Sequence, residues 1–396
     1  MMEPIVITGL GVISAIGKDK AETLASLRSG KTGVEPLRYL RTDHKEFPVG
    51  EVKMSDEEMK QSLHITSEPT TRTSLMGMIA VREALDEAGL LDSREQSPVL
   101  VSGTTVGGMD KSEQYYLDYL NNDTRNEYIR MHDCGATTEV IADYFGIFSM
   151  VTSISTACSS AANAFILGAN LIRSGQTDIA VVGGTECITK FHLNGFNSLM
   201  ILDHEQCKPF DANRSGLNLG EGACYVVLEK ESTAKSRGAQ ILGRLSGYGN
   251  ACDAFHQTAS SDDGDGAYLA MRKALDMAGL KPGDIDYVNA HGTGTSNNDV
   301  SESHALLRLF GDDMPYVSST KGMTGHTTSA SGAVEAAICL LAMQHRLVPV
   351  NYGWCTPMEY GVKPVKENIR DVELRHVMCN SFGFGGNDSS LIISQY

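Results

Sequence analysis

The chain has 396 residues, with 33 Lys and Arg against 49 Asp and Glu and a formal charge of −16 at pH 7. That balance argues against nucleic acid or an anionic membrane surface as a partner, and an acidic protein partner would need a local basic patch. Nine cysteines in odd number without a CxxC pair, an N-terminus without a basic n-region and no apolar run of membrane-spanning length predict a reduced, cytoplasmic protein.

The first predicted element is a strand, Ile5-Val6-Ile7, running into Thr8-Gly9-Leu10-Gly11-Val12-Ile13-Ser14. Ser14 stands where a dinucleotide-binding GxGxxG has its third glycine, so these glycines are read as a tight turn into a helix over 21–27. Residues 37–69 are polar, mixed in charge and hold two prolines, the pattern of surface insertions. Leu75, Met78, Ala80, Ala84 and Leu85 recur at helical spacing and end at Gly89, a C-cap. A strand over 99–101 follows, and then a Tyr- and Asn-rich stretch, 110–144, read as irregular or short-helical.

Val151, Thr152 and Ile154 predict a buried strand, and Phe165 to Ile172 an apolar helix. Between them lies Ser155-Thr156-Ala157-Cys158-Ser159-Ser160, all small side chains. Cys158 therefore falls at a strand-to-helix turn, where free backbone N–H groups and the helix dipole favour a thiolate. Two readings stand side by side at this point: a nucleophile or a buried structural thiol. His132 and Cys134 form no metal site, since further ligands are missing nearby.

The second part of the chain repeats the first. Arg82-Glu83-Ala84-Leu85-Asp86-Glu87-Ala88-Gly89-Leu90 returns as Arg272-Lys273-Ala274-Leu275-Asp276-Met277-Ala278-Gly279-Leu280, and each copy leads to a strand and then Gly-Thr. Thr8-Gly9-Leu10-Gly11 is echoed by Ser246-Gly247-Tyr248-Gly249. Strands alternating with helices, twice over, predict two α/β halves, 1–239 and 240–396, packed together with a site where their strand ends meet. Three further stretches carry reactive groups at such ends: His291 in Asn289-Ala290-His291-Gly292-Thr293-Gly294-Thr295, Lys321 and His326 in residues 318–327, and the glycine loop of Cys379-Asn380-Ser381-Phe382-Gly383-Phe384-Gly385-Gly386-Asn387. One cysteine and two histidines can thus converge.

STACSS, PFDANRSGLNLGEGA, NAHGTGT, STKGMTGH and NSFGFGG together resemble the elongating β-ketoacyl-acyl-carrier-protein synthases, the Cys-His-His condensing enzymes of the thiolase superfamily, over nearly the whole chain. The resemblance implies a duplicated, five-layered αβαβα thiolase-like fold and a homodimer or a heterodimer with a related ketosynthase. It implies an acyltransferase that joins malonyl to an acyl group by decarboxylative Claisen condensation, in fatty acid or polyketide and polyene synthesis. No cofactor is implied, because the substrates travel on the phosphopantetheine of an acyl carrier protein. Carried over residue by residue, Cys158 holds the acyl group, and His291 and His326 donate to the enolate through neutral Nε2–H groups. Lys321 matches a buried lysine with Glu335 as its carboxylate partner, and Phe384 matches a gate whose backbone N–H joins that of Cys158 as oxyanion donor. Thr293 and Thr295 match threonines on the phosphopantetheine arm, and Val106 a residue lining the acyl pocket.

Two departures stand out. Asn387 replaces a threonine, and residues 55–60 read Ser-Asp-Glu-Glu-Met-Lys where relatives carry basic residues that dock the carrier. Lys208 matches another docking position, with Lys60 and Arg72 as further candidates. The rival readings are a coenzyme A-dependent thiolase, with Cys379 as the second reactive cysteine, and a chain-length-determining subunit, which would lack the nucleophile that Cys158 supplies.

Overall fold

The computed structural model describes residues 3–66, 69–93 and 96–396. Its strands are β1 (Ile5–Ser14), β2 (Val99–Gly103), β3 (Met150–Ile154), β4 (Ile179–Glu186), β5 (Gly222–Lys230), β6 (Gly243–Cys252), β7 (Tyr287–Asn289), β8 (Tyr316–Ser318), β9 (Leu347–Val348), β10 (Ile369–Arg370), β11 (His376–Gly383) and β12 (Asn387–Ser394). Apart from the β9–β10 ribbon they form one ten-stranded sheet in the order β3-β2-β4-β5-β1-β6-β12-β11-β7-β8. The order is palindromic about the seam between β1 and β6. On each side two parallel pairings at the outer end give way to antiparallel ones towards the seam. At the seam only Val6↔Arg244 and Ile7↔Gly243 are in register.

Helices lie between and outside the two half-sheets, in the α–β–α–β–α layering of the thiolase-like fold. Helix Ser331–Gln344 has Glu335 as its one charged residue and is buried from Ser331 to Met343, which only an internal helix can be. With helix Ser160–Arg173 it fills a central core in which Phe165, Ala169, Ala337 and Leu340 meet Val226, Leu228, Leu391 and Ile393 from both half-sheets. Alternate residues of the same strands face outwards. Tyr225 and Val227 pack with Leu75 and Ala84 of helix Arg72–Glu87, and Met378 and Ile392 with Met271 of helix Asp265–Ala278.

The glycines near the N-terminus are not in a turn. They lie inside β1, where a Cβ on Gly9 would come 2.1 Å from the Ala84 carbonyl oxygen and one on Gly11 2.0 Å from that of Ala80. Gly247 and Gly249 of β6 meet the carbonyls of Ala274 and Ala270 at 2.3 and 2.2 Å in the same way. In both half-sheets, glycine lets an outer helix rest backbone-to-backbone on its strand.

The strand at 150–154 is also corrected. β3 ends the sheet, leaving Met150 38% and Val151 36% exposed, so its β-branched residues mark an open apolar edge and not an interior. The stretch 37–69 is more than insertion. Ser55 caps helix Asp56–Leu63 in a capping box with Glu58, and Phe47, Val49, Val52, Met59 and Leu63 are buried. Ser67 and Glu68 in that stretch lie outside the described residues. The segment 110–144 is largely helical, as Met109–Tyr119, Glu127–Arg130 and Cys134–Phe145. Among the described residues no helix is long and apolar enough to cross a membrane.

Candidate active site

Cys158 sits between β3 and helix Ser160–Arg173, immediately after Ala157, whose φ of +50° is left-handed and costly for a residue with a Cβ. Ser160 Oγ holds that conformation by accepting from Thr156 N (2.9 Å) and donating to Ala157 O (2.6 Å). Asn387, the departure noted in the sequence, fastens the turn to the glycine loop. Its Oδ1 accepts from Ser159 Oγ (2.8 Å), Asn163 Nδ2 (2.7 Å) and Asn250 Nδ2 (2.9 Å).

Cys158 is 6% exposed. Burial pushes the Cys158 thiol up to about 11, against the opposing pull of Lys321's charge and a hydrogen bond from the Phe384 N–H. Desolvation thus opposes the thiolate that the strand-to-helix turn favours, while Lys321 and the Phe384 N–H support it. His326 Nε2 lies 3.1 Å from Cys158 Sγ. Backbone bonds from His326 N to Asn218 O (2.7 Å) and from Gly220 N to His326 O (2.8 Å) hold the residue in place.

The His291 ring lies edge-on to that of His326, with centroids 5.3 Å apart. Lys321 Nζ donates to His291 O (2.5 Å), lies 3.4 Å from His291 Nδ1 and forms an ion pair with Glu335. Lysine and carboxylate are both buried, 1% and 2% exposed at their side chains, so each makes the other tolerable in the interior. Burial first, then the Lys321 charge, depress both histidines well below the usual range, and both rings are neutral at pH 7. Burial raises Glu335, with Lys321 pulling it down.

Cys158, His291, His326, Thr293, Thr295 and Phe384 line one cavity. Thr293 Oγ1 and Thr295 Oγ1 are hydrogen-bonded at 2.8 Å, and the Phe384 ring stacks on Phe196 at 5.9 Å. A larger cleft between Lys18, Lys31, Glu35 and Lys53 lies elsewhere and gathers neither histidine nor cysteine. Val106 is buried but does not line the cavity; its N–H donates to Glu186 (3.0 Å). Arg72 cannot dock a partner. It is buried against Glu221 and Asp56, with further bonds to the Val52 and Met54 carbonyls. Lys208 is 32% exposed at its side chain, with Glu205 3.5 Å away, and Lys60 is half-buried. Cys379 is inside β11, its Sγ directed at Gly332 O (3.8 Å) and away from the cavity lining.

Sequence reasoning missed the carboxylates that hold these loops. Glu302 accepts from His291 N (2.8 Å) and Gly292 N (2.7 Å), and Asp299 from Thr293 N and Gly294 N (both 3.1 Å). Both sit on helix Ser296–Phe310 one turn apart. The signal was legible: a glycine loop has free N–H groups, and a helix directly after it with acids at i and i+3 can satisfy them.

Residues 2–234 match the family model of the β-ketoacyl synthase N-terminal domain and residues 242–354 that of the C-terminal domain. The chain belongs to the β-ketoacyl synthase family. The synthase is 34% identical to Nodulation protein E of Rhizobium meliloti (strain 1021), over 99% of each chain. It is 31% identical to 3-oxoacyl-[acyl-carrier-protein] synthase 2 of Staphylococcus aureus (strain COL), over 99% of this chain and 98% of the relative. Among solved structures, the ishigamide ketosynthase/chain length factor superposes with a TM-score of 0.93 at 32% identity, covering 100% of both chains. The ketosynthase ApeO in complex with its chain length factor ApeC, from Xenorhabdus doucetiae, gives 0.87 at 30% identity, covering 100% of this chain and 98% of the other.

Proposed function

We propose that the synthase extends an acyl group, held as a thioester on Cys158, by decarboxylative condensation with a malonyl group, both delivered on the phosphopantetheine of an acyl carrier protein. The observation that carries this is the Cys158 Sγ–His326 Nε2 contact of 3.1 Å in a cavity that His291 and the Phe384 N–H also face. In the first half-reaction Cys158 gives its proton to His326 and attacks the acyl thioester. The new Sγ–C bond forms as the carrier's C–S bond breaks, and the departing sulfur takes the proton. In the second, the malonyl carboxylate leaves as CO2 and its electron pair remains as an enolate. The thioester oxygen of that enolate faces His291 and His326, and the oxyanion formed at the acyl carbon faces the N–H groups of Cys158 and Phe384. Lys321 and Glu335 support His291 from behind, while Thr293 and Thr295 offer hydroxyls to the amides of the arm. Decarboxylation itself supplies the carbanion, so no redox cofactor is needed.

The relatives' names support a dimer, of two copies or with a related chain, and the open apolar edge of β3 is the surface such a partner would cover. Lys208 and Lys60, both half-buried, are the remaining docking candidates for the carrier. The nine free cysteines support a reducing, cytoplasmic setting, and the palindromic sheet supports two halves, 1–239 and 240–396. A thiolase reading would need Cys379 in the cavity lining, where it does not lie.

The test is Cys158→Gln. Its side chain cannot be acylated, yet its carbonyl can occupy the place of the acyl thioester while both histidines stay intact. The variant is expected to convert malonyl-carrier to acetyl-carrier with release of labelled CO2 and to make no elongated product. CO2 release no greater than in a variant also lacking both histidines would sink the proposed division of roles.

A further inference from the structure

Two loops meet at the mouth of the cavity. Thr258, Ala259 and Ser260, in the loop after β6, line it together with Phe384 of the glycine loop. Backbone bonds clasp the two loops: Asp253 N donates to Gly386 O and Gly385 N to Gln257 O, each at 2.8 Å. The Asp253 carboxylate also ties its own loop shut. It accepts from Ser261 N (2.6 Å), Ser261 Oγ (2.7 Å) and Gly266 N (3.2 Å). Asp388, the second residue of β12, stands beside that junction, paired with Ala251 of β6. A Cβ placed on Gly266 would come 2.1 Å from Asp388 Oδ2 and 2.8 Å from Asp253 Cβ. Both aspartates thus border the first turn of helix Asp265–Ala278.

The two carboxylates are unequally served. Asp253 has three donors. Asp388 is 3% exposed, and among the described residues no hydrogen-bond donor and no cation is paired with its carboxylate. The charged groups that face it are acidic: Asp253 from the end of β6 and Glu302 from helix Ser296–Phe310. Helix Asp265–Ala278 gives it no compensation. Gly266 N is taken by Asp253, Asp265 pairs with Arg308, and Lys273 donates to Asn250 O (2.8 Å). An acid so placed keeps its proton, because the charged form would be desolvated, unpaired and set against two carboxylates. Burial first, then the charges of Asp253 and Glu302, push Asp388 up to about 8.

We infer that Asp388 is a positioning residue that is uncharged at neutral pH, and that its ionisation sets a second negative charge beside Asp253 and loosens the clasp between the two loops at the cavity mouth. The consequence for turnover rests on the proposed function, since the glycine loop carries the Phe384 N–H that faces the acyl group. The released proton goes to solvent, and no bond of the substrate is involved. The sign follows from the proton count. Between the ordinary aspartate range and about pH 8 the folded chain holds one proton more here than the unfolded chain. The stability this gives is full below that window, falls as pH rises through it, and is constant above it.

The test compares the protein with Asp388→Asn, which keeps the shape and has no charge at any pH. Urea unfolding is followed at equal protein concentration from about pH 5.5 to about pH 9. The folding constant of the parent relative to Asp388→Asn is expected to fall about tenfold per pH unit and to level off near pH 8. Glu302 is common to both proteins, so its own titration cancels in the ratio. A ratio independent of pH overturns the inference. Amide exchange of a peptide covering 252–261, read by mass, reports the clasp. Exchange in the parent relative to the variant is expected to rise several-fold between pH 7 and pH 9, and equal exchange at every pH overturns the inference. CO2 release from malonyl-carrier, parent relative to variant, is expected to fall several-fold over the same range. A merely structural Asp388 would change the size of these quantities and leave the pH profiles parallel. Should Asp388→Asn fail to fold, Asp253→Asn removes the facing charge and should end the stability slope at a lower pH; an unchanged end point overturns the inference. Absence of CO2 release from every protein would strike the condensing function, and the folding and exchange readouts would still decide this one.

Discussion

The loops that follow β2 and β7 stand in matching places of the duplicated sheet, and both hang their backbone N–H groups on buried carboxylates. After β2, Thr105 N and Val106 N donate to Glu186, which reaches across from β4, the neighbouring strand. Glu186 also accepts from Ser329, in the other half of the chain. After β7 the acceptors are Glu302 and Asp299, on the helix that immediately follows the loop. The first loop is tied to distant parts of the molecule and turns a buried valine inwards. The second has its N–H groups satisfied locally, while Lys321 and Ser319 donate to its His291 and Gly292 carbonyls, and it presents His291 and two threonine hydroxyls to the cavity. One scaffold thus yields a buried, unreactive loop at one end and reactive groups at the other, and the source of the carboxylate decides where each loop's N–H groups are anchored.

The sharpest way to break this comparison is to remove a reactive group and a buried group outside the cavity lining in parallel. His326→Ala should lose on the order of 3 kcal/mol of transition-state stabilisation in CO2 release from malonyl-carrier, a factor of about 10²–10³. Val106→Ala should leave CO2 release within about threefold. Equal losses in the two would erase the distinction between the two loops.

A second comparison sets the two half-sheets against each other. Gly11→Ala and Gly249→Ala each push a methyl into a helix carbonyl, at 2.0 and 2.2 Å. Each should cost about 2–3 kcal/mol, seen as a lower urea midpoint. A neutral Gly249→Ala would mean that only the first half needs close helix contact.

Glu302→Gln keeps the shape but turns an amide N–H towards a backbone donor. A loss of about 1–3 kcal/mol is expected, with a fall in CO2 release as His291 shifts. Glu186→Gln should destabilise similarly and affect CO2 release less; the reverse ranking would show that the first loop positions the chemistry. The smallest effect is expected at Lys208. Charge reversal to Glu should weaken carrier binding a few-fold at low salt and converge with the parent at high salt, read by titration with labelled carrier.

What was legible in the sequence were the groups that chemistry selects by type, Cys158 among small residues and His291 and His326 at strand ends, whereas Lys321 was singled out by resemblance alone. What was not legible depends on a partner far along the chain. Gly9 and Gly11 look like a turn until Ala80 and Ala84 are laid on them. Arg72 looks like a surface charge until Glu221, 149 positions away, closes on it. β3 carries the β-branched residues of an interior strand, but its place at the sheet edge comes from strand order, which local pattern does not encode. Ser331 is one small residue among several in the sequence, and only the fold brings its Oγ to 2.9 Å from His326 Nδ1.

The narrow seam between β1 and β6 has a consequence for how the molecule comes apart. Backbone pairing across it is confined to Val6↔Arg244 and Ile7↔Gly243, so the half-sheets are joined by little ladder and much core. The central helices, one from each half, bury their faces in each other and in both sheets. Neither half could be cut free without exposing that layer to water. The cooperative unit of melting is therefore the whole chain, and amide protons at Phe165 and Ile338 should exchange together, at the rate of global opening.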